Sequence, residues 1–130
     1  MKKTFAAPGS QHYPEAWHFS PVLDSGDYVF VSGVTGTRPD GSIAGTPEAQ
    51  FENAFALVAD NLAAAGLSFA DVVEMTTYHV GLRAHLALFM AVKDRFVEPP
   101  YPAWTAIGVS ELATAGALVE IRVIARRPPV

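Results

Sequence analysis

Tyr101-Pro102-Ala103-Trp104 and, after a spacer, Ala117-Leu118-Val119-Glu120-Ile121-Arg122-Val123-Ile124-Ala125 decide how this chain is read. The second segment alternates with period two. Val119, Ile121, Val123 and Ala125 fall on one face of an extended strand, and Leu118, Glu120, Arg122 and Ile124 fall on the other. The first face is wholly apolar. The second carries an acid and a base two residues apart, about 6.5–7 Å along the strand. Such a strand lays its dry face on a core and turns its charged face to water or a cleft. Trp104 to Ser110 reads as a neighbouring strand, with Trp104, Ala106 and Gly108 on one side and Thr105, Ile107 and Val109 on the other. The small residues beside the indole leave room for something above Ala106 and Gly108.

Working outward, Lys3 to Ala6 reads as a short strand, Ala7 to Ala16 as a loop rich in Pro and Gly, and Trp17 to Leu23 as an edge strand containing Pro21. Tyr28 to Val34 is a strand, and Pro39-Asp40-Gly41 marks a turn. Thr46-Pro47-Glu48 opens a helix: a hydroxyl N-cap, a proline at the first position and an acid at the positive end of the dipole. Phe51, Phe55, Val58 and Leu62 form its apolar stripe, and Gly66 ends it. Val72 to Leu82 is a strand with Val73, Met75 and Thr77 opposite Glu74, Thr76 and Tyr78. Ala84 to Phe96 is a second helix, presenting Leu86, Phe89, Met90 and Phe96, which Pro99-Pro100 terminates. Two amphipathic helices cover one face of such a sheet, so the other face is solvated or meets another subunit.

With 130 residues, half of them hydrophobic and 17% charged, the expectation is a single folded domain over residues 1–130. The net charge of −4 and the scattered Lys and Arg argue against a nucleic-acid surface. The chain has no cysteine, which excludes disulfides and thiolate chemistry. It shows no secretory leader pattern and no apolar run of membrane-spanning length, so a cytoplasmic protein with no membrane partner is expected. His12, His18, His79 and His85 lack metal-ligand spacing, and no phosphate-binding or serine-hydrolase motif occurs. No metal and no cofactor are therefore expected.

Pro102-Ala103 followed by Val119-Glu120-Ile121-x-x-Ile124-Ala125 resembles the C-terminal signature of the Rid family, also called YjgF-like and often labelled L-PSP endoribonucleases. Asp27-Tyr28-Val29-Phe30-Val31-Ser32-Gly33 resembles its strand motif. Gln50 to Gly66, with Asn53, Leu57, Asn61 and Leu62, resembles its first helix. The similarity runs from about Phe19 to Arg127. It implies an α+β, chorismate-mutase-like fold: a mixed sheet with two helices packed on one face. It also implies a homotrimer with ligand clefts between subunits, and hydrolysis of reactive imines or enamines. In that family an arginine after Pro-Ala holds the substrate carboxylate, a task suited to the paired donors of a guanidinium.

Here Trp104 stands at the arginine position and Phe19 at that of a family tyrosine. Indole offers one donor and no charge. The groups left for chemistry are Glu120, to orient water or protonate a leaving amine, and Ser32, with a hydroxyl. Gly33 permits close backbone approach. Phe19, Trp104, Ala106 and Arg122 complete the expected substrate-binding set, with Trp104 and Phe19 as an apolar wall opposite Ser32, Gly33 and Glu120. Arg122 and Arg38 are the candidate replacement anchors. The plainer reading puts Ser32 and Gly33 at a strand end and pairs Glu120 with Arg122 in solvent. The expected function is a divergent imine or enamine hydrolase acting on a small molecule. A non-catalytic ligand-binding trimer is the alternative, and a ribonuclease is disfavoured by charge.

Overall fold

The computed structural model describes residues 2–129. Six strands form one mixed sheet: β1 (Lys3–Phe5), β2 (Val22–Asp24), β3 (Tyr28–Thr35), β4 (Val72–His79), β5 (Ala103–Gly108) and β6 (Val119–Arg126). Their spatial order is β1-β2-β3-β6-β4-β5. Only the β4–β5 pairing is parallel, and the helix between those strands supplies the crossover such a pairing needs. β6 lies antiparallel to both β3 and β4.

Helices α2 (Pro47–Ala64) and α3 (Leu82–Lys93) cover one face. The α2 start forms as its sequence dictates: the Ala49 N–H donates to Thr46 Oγ1 at 3.2 Å, with Pro47 in the first turn. At its far end Gly66 takes φ +77°, a conformation costly for other residues. The Gly66 and Leu67 N–H groups then donate back to the Ala63 and Leu62 carbonyls, satisfying acceptors a helix end leaves open. Val119, Ile121, Val123 and Ala125 are buried beneath the helices, as the alternation of β6 requires. Phe51 and Phe89 meet edge to face at 5.3 Å between centroids, and Phe55 and Phe96 stack at 5.2 Å. Buried Gln50 ties α2 to the approach to β6. Its amide donates to the Ala44 and Gly116 carbonyls and accepts from the Leu118 N–H.

Several sequence expectations are corrected. The Ala7–Ala16 loop contains a one-turn helix, α1 (Tyr13–Trp17), because Pro14 sits where a helix start tolerates proline. The Trp17–Leu23 strand shrinks to β2, which lies inside β1 rather than at the edge. A register shift between Val72 and Glu74 turns Val73 outward and Val72 inward. Met90 is exposed, while Val92 and Lys93 are the buried positions beside Phe89. Leu82 begins α3 instead of ending β4, and fills space above Gly108, 3.7 Å from where a Cβ would stand.

His79 lies in this core, fully buried, its ring 4.6 Å from Phe89. Its Nε2 meets Thr77 Oγ1 at 2.7 Å, and its Nδ1 has no partner among the described residues. Burial, with some repulsion from His85, lowers its pKa from 6.5 to about 4. The unfolded chain therefore binds more protons across that interval, and stability should fall as pH drops from 6.5 towards about 4. Urea midpoints measured across the interval should show this slope in the native chain and lose most of it in His79→Leu. Glu120, whose carboxyl is shifted upward, contributes the opposite slope in both proteins, so the comparison isolates the histidine.

Candidate functional site

On β3, Val31 pairs with Val123 but Val34 pairs with Ile121. Three steps along β3 thus match two along β6, a bulge centred on Ser32 and Gly33. The extra residue takes Ser32 out of the β3–β6 pairing. Its N–H donates to the Pro21 carbonyl at 3.0 Å, and its hydroxyl donates to the Ser20 carbonyl at 2.7 Å. Gly33 is left beside the Glu120 side chain. A Cβ built on Gly33 would stand 2.5 Å from Glu120 Oε2 and 2.8 Å from its carboxyl carbon. A side chain at this position would displace the Glu120 carboxyl, so it is the close approach, and not an unusual φ, that glycine serves here.

Glu120 is half-buried on the face of β6 away from α2 and α3, opposite Thr35 on one neighbour and Tyr78 on the other. Its pKa is raised by desolvation, and among the described residues no hydrogen bond or charge offsets it. Among the ion pairs of the described residues there is none between Glu120 and Arg122.

A hollow of about 450 Å³ opens over this carboxyl. Phe19, Ser32, Gly33 and Glu120 line it together, joined by His12, Tyr13 and Trp17 from the α1 segment. The Tyr13 ring lies 4.2 Å from His12 and 5.0 Å from Phe19, centroid to centroid. His18 ends α1 in the left-handed region, φ +58°, and the reversal brings Phe19 back to the hollow. A second hollow of about 390 Å³ adjoins it, sharing Tyr13 and Thr37 and adding Asn53, Asp60, Asp40 and Arg38. Arg38 points its guanidinium at Ser42 Oγ and the Ile43 carbonyl, at 3.3 and 3.2 Å.

Trp104, Ala106 and Arg122 do not join this cleft. Trp104 faces the helices: its ring is 6.0 Å from Phe89 and its indole N–H donates to Thr77 Oγ1 at 3.0 Å. The ammonium of buried Lys93 lies 4.7 Å from the Trp104 ring centroid. Ala106 pairs with Thr77 on that same side. Within one chain Trp104 and Glu120 thus occupy opposite faces of the sheet, correcting the expectation that they share one. The cause is pairing: Trp104 registers with Met75, a core position, whereas Glu120 registers with Tyr78. Arg122 is exposed on the Glu120 face and is not part of the lining. The sequence reading missed His12, Tyr13 and Trp17. The available signal was Tyr13-Pro14-Glu15-Ala16-Trp17, with proline and an acid placed as in a helix start.

The family model for endoribonuclease L-PSP matches residues 10–127, which spans the bulge, the cleft and β6. The chain belongs to this family. It is 42% identical to the RutC family protein YjgH of Escherichia coli K12 over 134 aligned positions, covering 98% of each chain. The RidA structure from the Antarctic bacterium Psychrobacter sp. PAMC 21119 is similar, with 29% identity over 86% of this chain and 90% of that one, and a TM-score of 0.81. So is TdcF of E. coli with bound serine, with 28% identity over 85% and 88% and a TM-score of 0.78. The fold is the chorismate-mutase-like α+β fold of these YjgF-type relatives. Among the described residues no helix is long and apolar enough to cross a membrane.

Gly33→Ala should push the Glu120 carboxyl off its seat and into water, because the new methyl overlaps it. A carbon-detected titration of the Glu120 carboxyl should then give a pKa closer to the ordinary value than in the native protein. An unchanged value would show that the seat is not set by Gly33.

Proposed function

We propose that the chain hydrolyses a small imine or enamine in the aromatic cleft, with Glu120 as the proton-transferring group. The observation that carries this reading is the Glu120 carboxyl, desolvated and unpartnered above the bulge at Gly33. A raised pKa suits a carboxyl to pass a proton near neutral pH. An imine carbon is already electrophilic, so the site supplies position and proton transfer only. An enamine first takes a proton from solvent on its β-carbon, and an imine enters protonated, so both react as the iminium. Glu120 takes a proton from water as its oxygen adds to the carbon, and passes that proton to the nitrogen, which then leaves as a neutral amine. Glu120 then takes the hydroxyl proton as the C–N bond breaks. The carbonyl product leaves, the amine carries off the last proton, and the carboxylate is restored.

Ser32 has a narrower role than its hydroxyl suggests. Its proton is committed to the Ser20 carbonyl, so towards the cleft it offers lone pairs only. It can hold the attacking water by accepting from it. The reading of a small-molecule substrate over RNA rests on the net charge of −4 and the scattered bases. Glu120→Gln keeps the shape and removes the proton carrier. Turnover of an imine generated in situ should drop about a hundredfold or more, with ligand affinity reduced far less. Unchanged turnover overturns the reaction and leaves a binding protein.

The sheet face away from α2 and α3 supports a homotrimer. It carries Phe30, 37% exposed, and Ile107, 40% exposed, in the rows that also hold Ile124 and Tyr78. A second copy covering this face would place the cleft near a subunit boundary. Light scattering behind size exclusion should give three times the chain mass, and a monomer at micromolar concentration would exclude the arrangement.

A further inference from the structure

We infer that the aromatic cleft selects a flat cation, such as an iminium or amidinium group, over a carboxylate-bearing ligand of the same shape. This rests on the cleft being a ligand site and not on the reaction proposed for it. The argument starts from charge. Among the described residues lining the hollow over Glu120, that side chain is the only one of the Asp, Glu, Lys and Arg types. Within one chain the lysines and arginines that might have met an anionic ligand lie elsewhere, and His12 is the one basic side chain in the lining. Lys93, the last residue of α3, is buried against Trp104 on the opposite face, and Arg38 is bound to its own loop in the adjoining hollow. Arg122 is outside the lining formed by one chain. An anion entering the hollow meets an unneutralised carboxyl in a partly dry setting, where like charges repel strongly.

The walls favour the opposite sign. Tyr13 and Phe19 present tilted rings 5.0 Å apart, and Trp17 adds an indole to the same lining. Aromatic faces attract a cation, most strongly when water is thinned around it. A planar cation lying along these rings would direct its N–H groups at the Glu120 oxygens, which accept no hydrogen bond from the described residues. The pairing satisfies both sides: the ligand supplies the missing donors, and the carboxylate supplies the counter-charge. For an imine substrate the same contact holds the protonated form, whose carbon is the more electrophilic.

Benzamidine and benzoate test this, being nearly equal in shape and opposite in charge, with binding to the full chain read by calorimetry or ligand-observed NMR. Benzamidine should bind at least about tenfold more tightly than benzoate at neutral pH. Glu120→Gln should erase most of that ratio, and Phe19→Ala should weaken benzamidine about two- to fivefold while leaving its preference over benzoate. Equal or tighter binding of benzoate overturns the inference. So does a preference that survives in Glu120→Gln, or no benzamidine binding at millimolar concentration. The outcomes separate from those of the reaction: a benzamidine preference without imine hydrolysis removes only the hydrolase reading, and hydrolysis of an anionic imino acid without that preference removes only this one.

Discussion

Strand β6 is hydrogen-bonded on both sides, to β3 and to β4, and its residues alternate between two environments that do not mix. Val119, Ile121, Val123 and Ala125 reach the core under the helices, and Glu120, Arg122 and Ile124 face away from it. A one-residue slip would bury Glu120 and Arg122 and expose four apolar side chains, so the register is strongly specified. Everything else of consequence hangs from that register. It sets which residues of β3 and β4 oppose Glu120, and through β4 it sets which residues of β5 face the helices.

The site is then a local exception inside a rigid frame. One extra residue on β3 frees Ser32 from the ladder, and the missing side chain at Gly33 gives the Glu120 carboxyl a seat. The cost is partial desolvation of an acid that no donor among the described residues compensates. A short helix with no buried residue of its own, α1, closes the hollow with rings rather than charges. An isolated acid and an aromatic wall are complementary here, because the second thins the water around the first.

Much of this was legible in the chain. Alternation in β6 and the helical stripe of Phe51, Phe55, Val58 and Leu62 placed the core, since period alone separates a strand face from a helix face. Thr46 and Gly66 bounded α2 because capping is local chemistry. The grouping of Phe19, Ser32, Gly33 and Glu120 was also anticipated. What failed depended on registers that single residues do not reveal. Trp104 shares a strand face with Ala106 and Gly108, as alternation requires, but alternation does not say which side of the sheet that face joins. The parallel pairing with β4 decides it. The bulge at Val73 was hidden because it is a one-residue departure from a regular period, whereas the turn of α1 was masked by the prolines and glycines around its short helix-start signal.

The strand order carries a consequence for biosynthesis. β6 follows every other described strand in sequence, yet it lies between β3 and β4. Until it is made, the sheet exists only as two separate pieces, β1-β2-β3 and β4-β5, each with a bare edge. Val29 must wait for Ala125, and Asp24 for the Arg127 guanidinium that clamps it to the Ala65 carbonyl. A nascent chain on the ribosome therefore holds its two helices over an unfinished floor until the final strand emerges. Closure of the core is then a late, long-range event. The carboxyl that lines the cleft arrives with that same strand, so the closing of the sheet and the completion of the hollow coincide.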